Sequence, residues 1–339
     1  MEWSGWTALR HALANRRQRS EIEPFHFGLE ADLGRTGLAF EAPAADWDGR
    51  IDVTDQRIWL NGLPEAFRGF RILQISDIHH SRFFPLDRVA RLVELSNRLQ
   101  PDLVALTGDF VTYSRASIEP VAEMLGALEA RAGVVAVLGN HDFRVGAATI
   151  ERALRRRGIE VLRNRHILLR KGGEILPVAG VDDYRYGADP ERALRGIPDG
   201  LPTMLLAHNP RLLERLAWHG VSLVLSGHTH GGQVNLPLLG TIYGRSPERL
   251  RFKMGWDRLG GTQIYVSRGI GTIVLPWRLR CPAEMPWLEL LPHHDNELLP
   301  QRDQALLPQH DLERRFAGRF QAEIFQAGGY RPVLKATTH

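Results

Sequence analysis

Two histidines at the end of an apolar run are the first residues in this sequence that could do chemistry. Residues 221–233 read VSLVLSGHTHGGQ, the pattern of a buried strand that ends in a glycine-rich turn. Side chains at positions i and i+2 of an extended segment point the same way, so His228 and His230 can converge on one point. Paired imidazoles suit a Mn, Fe or Zn ion. The alternative interpretation is a pair of solvated turn histidines.

Four further apolar runs end in polar residues of the same kind. Residues 70–76 lead to Asp77, His79 and His80, residues 103–107 to Gly108 and Asp109, residues 134–138 to Asn140, His141 and Asp142, and residues 203–207 to His208. In open α/β sheets the ligand crevice lies outside the carboxyl ends of the strands, so segments far apart in the sequence can meet there. Five such strand ends predict one site that gathers carboxylates, imidazoles and an amide.

The elements that must position these residues alternate between strand and helix. The helical stripes are Leu86, Val89, Leu92 and Val93, which end before Pro101, and Ile118, Val121, Leu125 and Leu128. Asn209 is predicted to cap a further helix that has Pro210 at its first position. Residues 50–54 alternate like a strand. The chain therefore reads as an α/β protein.

Composition bounds the domain organisation and the partners. With 339 residues and 43% hydrophobic content, we expect one large domain at residues 49–292, an N-terminal extension at 1–48 and a C-terminal tail with a helix at 293–339. The net charge of +4 favours an anionic partner, such as a phosphate-bearing small molecule or lipid. A nucleic-acid partner is disfavoured because no basic stripe is interleaved with aromatic residues. Cys281 is the single cysteine, which excludes an internal disulfide.

The first twenty residues predict a basic amphipathic helix. Trp6, Leu9 and Leu13 share one face, and Arg16 and Arg17 add positive charge. No apolar run reaches the roughly 20 residues of a membrane span, and no secretory signal precedes the domain, so we expect a cytoplasmic protein. The helix either lies on the anionic inner membrane surface or docks on the domain. Sedimentation with anionic liposomes distinguishes the two.

The order of these motifs resembles the calcineurin-like metallophosphoesterase superfamily. The matching motifs are Asp77-x-His79, Gly108-Asp109, Gly139-Asn140-His141-Asp142, His208 and Gly227-His228-x-His230. Residues 231–237 and 267–272, with Cys281 and Pro282, are similar to the YkuE-type branch, which includes UDP-2,3-diacylglucosamine diphosphatases of lipid A synthesis. The resemblance implies a four-layer α/β/β/α sandwich that holds two divalent metal ions, Mn, Fe or Zn.

The resemblance also implies a role for each residue. Asp77, His79 and His230 would hold one ion, and Asn140, His208 and His228 the other. Asp109 would bridge both ions, with one carboxylate oxygen for each. His141 would be the catalytic residue that stabilises the transition state and assists the leaving group. Asp142 would orient the ring of His141 or, alternatively, cap the following helix.

The activity implied is hydrolysis of a phosphodiester or diphosphate bond by a metal-bound hydroxide, with UDP-2,3-diacylglucosamine as the candidate substrate. The alternatives are a generic phosphodiesterase or nuclease of the same superfamily, and a non-catalytic scaffold. The sequence departs from many relatives at Thr112, where they carry an aspartate. Residues 273–280, with Arg82 and Arg144, are expected to form the rim of a substrate groove.

Overall fold

The computed structural model describes residues 51–216, 220–236, 240–241 and 252–293. The predicted N-terminal extension at 1–48 with its amphipathic helix, and the predicted C-terminal tail beyond residue 293, lie outside the described residues. The domain bounds at 49 and 292 stay a prediction.

The strands and helices follow one another in the order that the apolar runs predict. The strands are β1 (Asp52–Asn61), β2 (Phe70–Ile75), β3 (Leu103–Leu106), β4 (Val134–Ala136), β5 (Glu160–Val161), β6 (Arg165–Lys171), β7 (Glu174–Gly180), β8 (Thr203–Leu206), β9 (Val221–Ser226), β10 (Asn235–Leu236), β11 (Gly240–Thr241), β12 (Gly255–Leu259), β13 (Thr262–Val266) and β14 (Glu284–His293). The helices are α1 (Leu86–Leu99), α2 (Ile118–Leu125), α3 (Asn140–Arg155), α4 (Pro190–Leu194) and α5 (Leu213–Leu216). Short 3-10 helices lie at Glu65–Phe67, Arg115–Ser117, Pro210–Leu212 and His230–Gly232.

The strands form two six-stranded sheets and one two-stranded ribbon, β10-β11. The first sheet has the order β1-β14-β2-β3-β4-β5, and β2 to β5 are parallel. β14 is antiparallel to β2 and parallel to β1, so the last strand in sequence lies between the first two. The second sheet has the order β12-β13-β9-β8-β7-β6, with β13, β9, β8 and β7 parallel.

Alternation along the strands builds four layers. Successive side chains of a strand point to opposite faces, so Ile72 joins the core between the two sheets while Leu73 packs in the core that contains α1, α2 and α3. In the second sheet, Leu206 joins the inner core and Leu205 packs with residues of α4 and α5. Both faces of each sheet are therefore covered, and the predicted α/β/β/α sandwich is confirmed.

The boundaries differ from the prediction in two places. α2 ends at Leu125 with Gly126 as its C-cap, although Leu128, which follows, is still buried. β1 continues to Asn61, well past the predicted residues 50–54, because it pairs along its whole length with β14. Within the described ranges, the helices are all too short or too polar to cross a lipid bilayer.

Candidate metal centre

Five strands deliver the predicted site residues, three from the first sheet and two from the second. β2, β3 and β4 end just before Asp77, Asp109 and Asn140, and β8 and β9 end just before His208 and His228. The loops that follow these strands are joined by backbone hydrogen bonds. The N–H of Asp77 donates to the carbonyl of Gly108 at 2.9 Å, and the N–H of Gly227 donates to that of His208 at 3.0 Å. The sheets thus bring all seven predicted ligands to one edge of the sandwich.

The backbone at this edge adopts an uncommon conformation. Five predicted ligands have positive φ angles, although none is glycine: Asp77 (54°), His79 (48°), Asp109 (57°), His228 (71°) and His230 (52°). The left-handed region is disfavoured for residues with a Cβ and persists where the surroundings impose it, which happens most often at functional sites.

The first group consists of Asp77, His79 and His230, all at most 2% exposed. Nε2 of His79 lies 3.1 Å from Nε2 of His230, and Oδ1 of Asp77 lies 3.4 Å from the latter nitrogen. Two ring nitrogens and a carboxylate oxygen, all of them electron-pair donors, therefore point at one another in a buried space. This arrangement fits a divalent cation between them.

The second group consists of Asp109, His208 and His228. Nε2 of His208 lies 3.2 Å from Oδ2 of Asp109 and 3.2 Å from Nδ1 of His228. The amide oxygen of Asn140 faces Nδ1 of His228 at 2.8 Å, where an amide nitrogen would instead make a hydrogen bond. An amide oxygen facing a ring nitrogen is favourable when both bind the same cation. The side chains of Asn140 and of the second group therefore also fit a divalent ion.

Asp109 lies between the two groups, but its carboxylate oxygens face different partners from those that the sequence predicts. Oδ2 lies 3.4 Å from Nε2 of His79 and 3.2 Å from Nε2 of His208. Oδ1 accepts a hydrogen bond from the N–H of His141 at 2.8 Å. The expectation of one carboxylate oxygen for each ion is therefore wrong: the same oxygen faces both groups because the other one is held by the backbone.

Hydrogen bonds to backbone carbonyls set the tautomers of two rings. Nδ1 of His208 lies 2.8 Å from the carbonyl oxygen of Thr107, and Nδ1 of His141 lies 3.0 Å from that of Thr112. A carbonyl can only accept, so each Nδ1 carries the proton and each Nε2 faces the site. Thr112 also donates its hydroxyl to the carbonyl of His79 at 3.1 Å. Thr112 thus holds both histidines, His141 through its carbonyl and His79 through its hydroxyl.

Asp142 does not contact the His141 ring, contrary to the predicted orienting role. Its Oδ2 accepts the N–H groups of Asp109 at 2.7 Å and Gly139 at 2.9 Å, and its Oδ1 accepts that of Phe110 at 2.9 Å. The alternative prediction, a cap of the following helix, is nearer to the structure, since Asp142 occupies the third helical position and binds the N-cap backbone. Its carboxylate ties the loop after β3 to the start of α3.

Burial and neighbouring charge set the protonation of this site in the metal-free protein. Burial lowers the pKa of His79 to about 3. Burial also acts against the charge on His208, but the charge of Asp109 and its hydrogen bond outweigh it and raise the pKa of His208 to about 10. Burial opposes ionisation of Asp109, yet the charge of His208 holds the pKa of that carboxyl well below its usual range. Asp109 and His208 therefore form a buried ion pair.

Arg278 is buried, whereas the sequence predicts it at the rim of a groove. The side chain is only 4% exposed, and its guanidinium donates to the carbonyls of Gly271 at 2.6 Å, Arg268 at 2.9 Å and His230 at 3.4 Å. Burial, followed by the charge of Arg278, lowers the pKa of His230 well below its usual value. A buried arginine bound to carbonyls has no local sequence signal, because its partners come from distant loops.

Two neighbours complete this contact between the His230 turn and the late loop. Gln233 donates to the carbonyls of Leu275 at 3.0 Å and Trp277 at 3.1 Å. Sγ of the buried Cys281 lies 3.2 Å from the carbonyl oxygen of His230. The late loop therefore supports the turn that carries His230.

Three other histidine and aspartate residues at strand ends lie outside both groups. His80 binds the carbonyl of Phe84 through Nδ1 at 2.9 Å, and Asp182 pairs with Arg163 through two contacts of 2.8 Å. Asp183 is buried, and this burial raises the pKa of its carboxyl.

Comparison with known proteins gives a consistent result. Residues 70–232 match the family described as calcineurin-like phosphoesterase. The chain is 34% identical to the uncharacterized metallophosphoesterase YkuE of Bacillus subtilis over 69% of this chain and 84% of that protein. It is 33% identical to the phosphodiesterase YaeI of Escherichia coli over 66% and 82%. It is also 32% identical to a zebrafish (Danio rerio) transmembrane protein with a metallophosphoesterase domain, over 69% of this chain and 56% of that protein.

The close approach of Gly227 to Asp77 generates a packing prediction. A Cβ at Gly227 would lie within 3.0 Å of both Oγ of Ser76 and Oδ2 of Asp77, whereas a Cβ at Gly261 would meet nothing within 4 Å. Gly227→Ala should lower the free energy of unfolding by about 1–3 kcal/mol and weaken Mn binding at least tenfold. The matched control Gly261→Ala should change the free energy of unfolding by less than about 0.5 kcal/mol. Urea denaturation and calorimetric Mn titration measure the two effects, and equal results for both variants would contradict the packing argument.

The Asp109–His208 pair generates a pH prediction for the metal-free protein. A pKa of about 10 in the folded state exceeds the usual 6.5, so the stabilisation by this proton is present below pH 6.5 and is lost as the pH rises toward 10. The free energy of unfolding should fall by at least about 1 kcal/mol between pH 7 and 10. His208→Gln should reduce this fall, while His166→Gln, on β6, should retain it in full. The buried Asp142, whose pKa is raised to about 8 by burial and by the charge of Asp109, contributes the rest of the fall. Urea denaturation in the presence of chelator measures the slope, and an unchanged slope in His208→Gln would argue against the buried ion pair.

Proposed function

Because this chain belongs to the calcineurin-like phosphoesterase family and is a metal-dependent phosphoester hydrolase, we propose that it cleaves a phosphodiester or diphosphate bond at the candidate metal centre. The observation that carries the proposal is Oδ2 of Asp109, which faces His79 and His208 at 3.4 and 3.2 Å. One buried carboxylate oxygen between two sets of imidazoles is the arrangement that a pair of cations requires.

We assign the metal ligands in two sets that share Asp109. The first set is Asp77, His79 and His230, and the second set is Asn140, His208 and His228. Two divalent ions carry roughly +4 against −2 from the two aspartates, so the loaded site would attract a phosphate. When bound, the ions would lower the pKa of a water molecule and stabilise negative charge on the phosphoryl oxygens. The oxygen and imidazole ligands suit Mn, Fe or Zn.

His141 is the residue that we propose for proton transfer. Its N–H is held by Oδ1 of Asp109 and its Nδ1 by the carbonyl of Thr112, so the backbone and the ring are both fixed. Because Nδ1 already carries a proton, Nε2 can donate one to the leaving oxygen only from the doubly protonated ring, which then returns to the neutral tautomer with its proton on Nδ1. Asp142 assists indirectly, since its carboxylate fixes the loop that carries Asp109.

The two alternatives have less support. A non-catalytic scaffold would not need the complete set of seven ligands together with His141. A nuclease would need a surface for the nucleic-acid backbone, and the sequence has no basic stripe interleaved with aromatic residues.

The proposal predicts the effects of substitution on hydrolysis of bis-p-nitrophenyl phosphate with Mn. Asp109→Asn should bind at most one Mn per chain and lose activity. The amide oxygen would accept the N–H of His141 and leave the amide NH2, which cannot bind a cation, at the shared position. His141→Ala should keep two Mn ions and lose activity by about 10²–10⁴-fold. Chelation should abolish wild-type activity, and added Mn should restore it.

Exposed Asp87, in the first turn of α1, provides a matched control. Asp87→Asn should retain two Mn ions per chain and full activity. The metal assignment would be overturned if Asp109→Asn kept both ions and full activity.

We further propose UDP-2,3-diacylglucosamine as the substrate. The support is the similarity of residues 231–237 and 267–272 to the branch that contains the lipid A diphosphatases. Contact with the inner membrane through residues 1–20 would bring the enzyme to such a diacylated substrate. It stays a prediction, since those residues lie outside the described part of the chain.

Release of UMP from UDP-2,3-diacylglucosamine tests the substrate proposal. We expect UMP from this compound and much less from UDP-glucose, which lacks the acyl chains. If bis-p-nitrophenyl phosphate is hydrolysed while neither UDP compound gives UMP, the substrate is wrong and the phosphoesterase proposal stands.

A further inference from the structure

A cavity with two arginines adjoins the second ligand group. It opens to solvent, and its lining includes Arg185, Arg211, Asn209 and His228. We call it the arginine cavity. Among the described residues that line it, two are cationic and none carries a carboxylate.

The arginine cavity lies at the carboxyl ends of three neighbouring strands. Arg185 lies in the loop after β7, Arg211 in the segment after β8, and His228 in the turn after β9. β7, β8 and β9 are parallel neighbours in the second sheet. This edge of an α/β sheet is where ligands bind, and the loops there determine which substrate is accepted.

Contacts within these loops fix the backbone at the two arginines. The N–H of Arg185 donates to Oδ1 of Asp183 at 3.0 Å, and the N–H of Arg211 donates to Oδ1 of Asn209 at 3.1 Å. The guanidinium carbon of Arg211 lies 5.3 Å from the centre of the Tyr184 ring, a distance at which the ring attracts a cation. The backbone is therefore fixed at both positions, and the Tyr184 ring also holds the guanidinium of Arg211.

His228 connects the arginine cavity to the metal centre. Its Nδ1 belongs to the second ligand group, and the same residue lines the cavity. A phosphoryl group held at that ligand group would therefore lie next to the cavity that the two arginines line. Guanidinium groups bind phosphoryl oxygens through paired hydrogen bonds.

We propose that the arginine cavity binds a second phosphoryl group of the substrate, adjacent to the one that is cleaved. The inference rests on the proposed function and narrows its substrate class to diphosphates and to phosphodiesters that carry a further phosphate. A neutral diester would leave the two arginines without a substrate partner.

Calorimetric binding of two non-hydrolysable probes to the Mn-loaded full chain tests this inference. Methylphosphonate offers one phosphonate, and methylenediphosphonate offers two. We expect the wild type to bind the second probe at least tenfold more tightly. In the double variant Arg185→Met/Arg211→Met this preference should fall below threefold. Chelation of Mn by the probe in solution is the same for every variant, so a change in preference between variants reflects binding of the probe to the protein.

Two further variants serve as controls. Arg131→Met removes an exposed arginine that pairs with Asp102. Asp102 directly precedes β3 and so lies at the opposite edge of the sandwich. This variant should keep the full preference. Arg185→Met alone changes an exposed side chain, so it should fold normally and lower the preference at least threefold.

A preference that persists in the double variant would overturn the inference, as would an equal loss in Arg131→Met or an equal loss of affinity for both probes. Hydrolysis of bis-p-nitrophenyl phosphate by the wild type is measured in parallel. Hydrolysis without any probe preference would overturn the cavity inference alone. A preference without hydrolysis would overturn the proposed function alone.

Discussion

The carboxylate of Asp109 is the contact on which the whole site depends. It comes from the first sheet, and its Oδ2 lies against His79 of that sheet and His208 of the second. An isolated carboxylate buried in this way would be costly, and the charge of His208 together with the N–H of His141 offsets that cost. Gly139 makes room for it, since a Cβ there would overlap the Asp109 carboxylate. The residues around Asp109 thus serve to keep one charged oxygen in a buried position.

The backbone of the site adopts an energetically unfavourable conformation at several ligands. Positive φ angles at Asp77, His79, Asp109, His228 and His230 are each unfavourable for a residue with a Cβ. Hydrogen bonds between loops compensate, including those that Asp142 accepts from the loop after β3 and the one that Arg278 donates to the turn of His230. The packed cores on both faces of each sheet anchor the strand ends from which these loops start. Rigid strands and tied loops together pre-organise the ligands.

The sequence predicts the part of this arrangement that depends on local pattern. Apolar runs that end in polar residues identify the five strand ends to within two residues, because burial on both faces of a parallel sheet leaves a continuous apolar signal. The sequence does not predict which oxygen of Asp109 faces the histidines, because that depends on the N–H of His141, more than thirty residues away. The buried position of Arg278 and the backbone partners of Asp142 escape prediction for the same reason. Both features depend on contacts with residues that are distant in the sequence, and the local sequence does not indicate such contacts.

The position of β14 has a consequence for how the chain folds during its synthesis. During synthesis β1 and β2 emerge early, yet β14, which pairs with both of them in the described structure, is made more than two hundred residues later. The edges of β1 and β2 that pair with β14 therefore stay unpaired until the ribosome has synthesised β14. A message truncated before codon 284 would yield a product with the residues of the metal centre but without the strand that closes the sheet behind them. Such a fragment would expose the unpaired edges of β1 and β2, and unpaired strand edges promote aggregation.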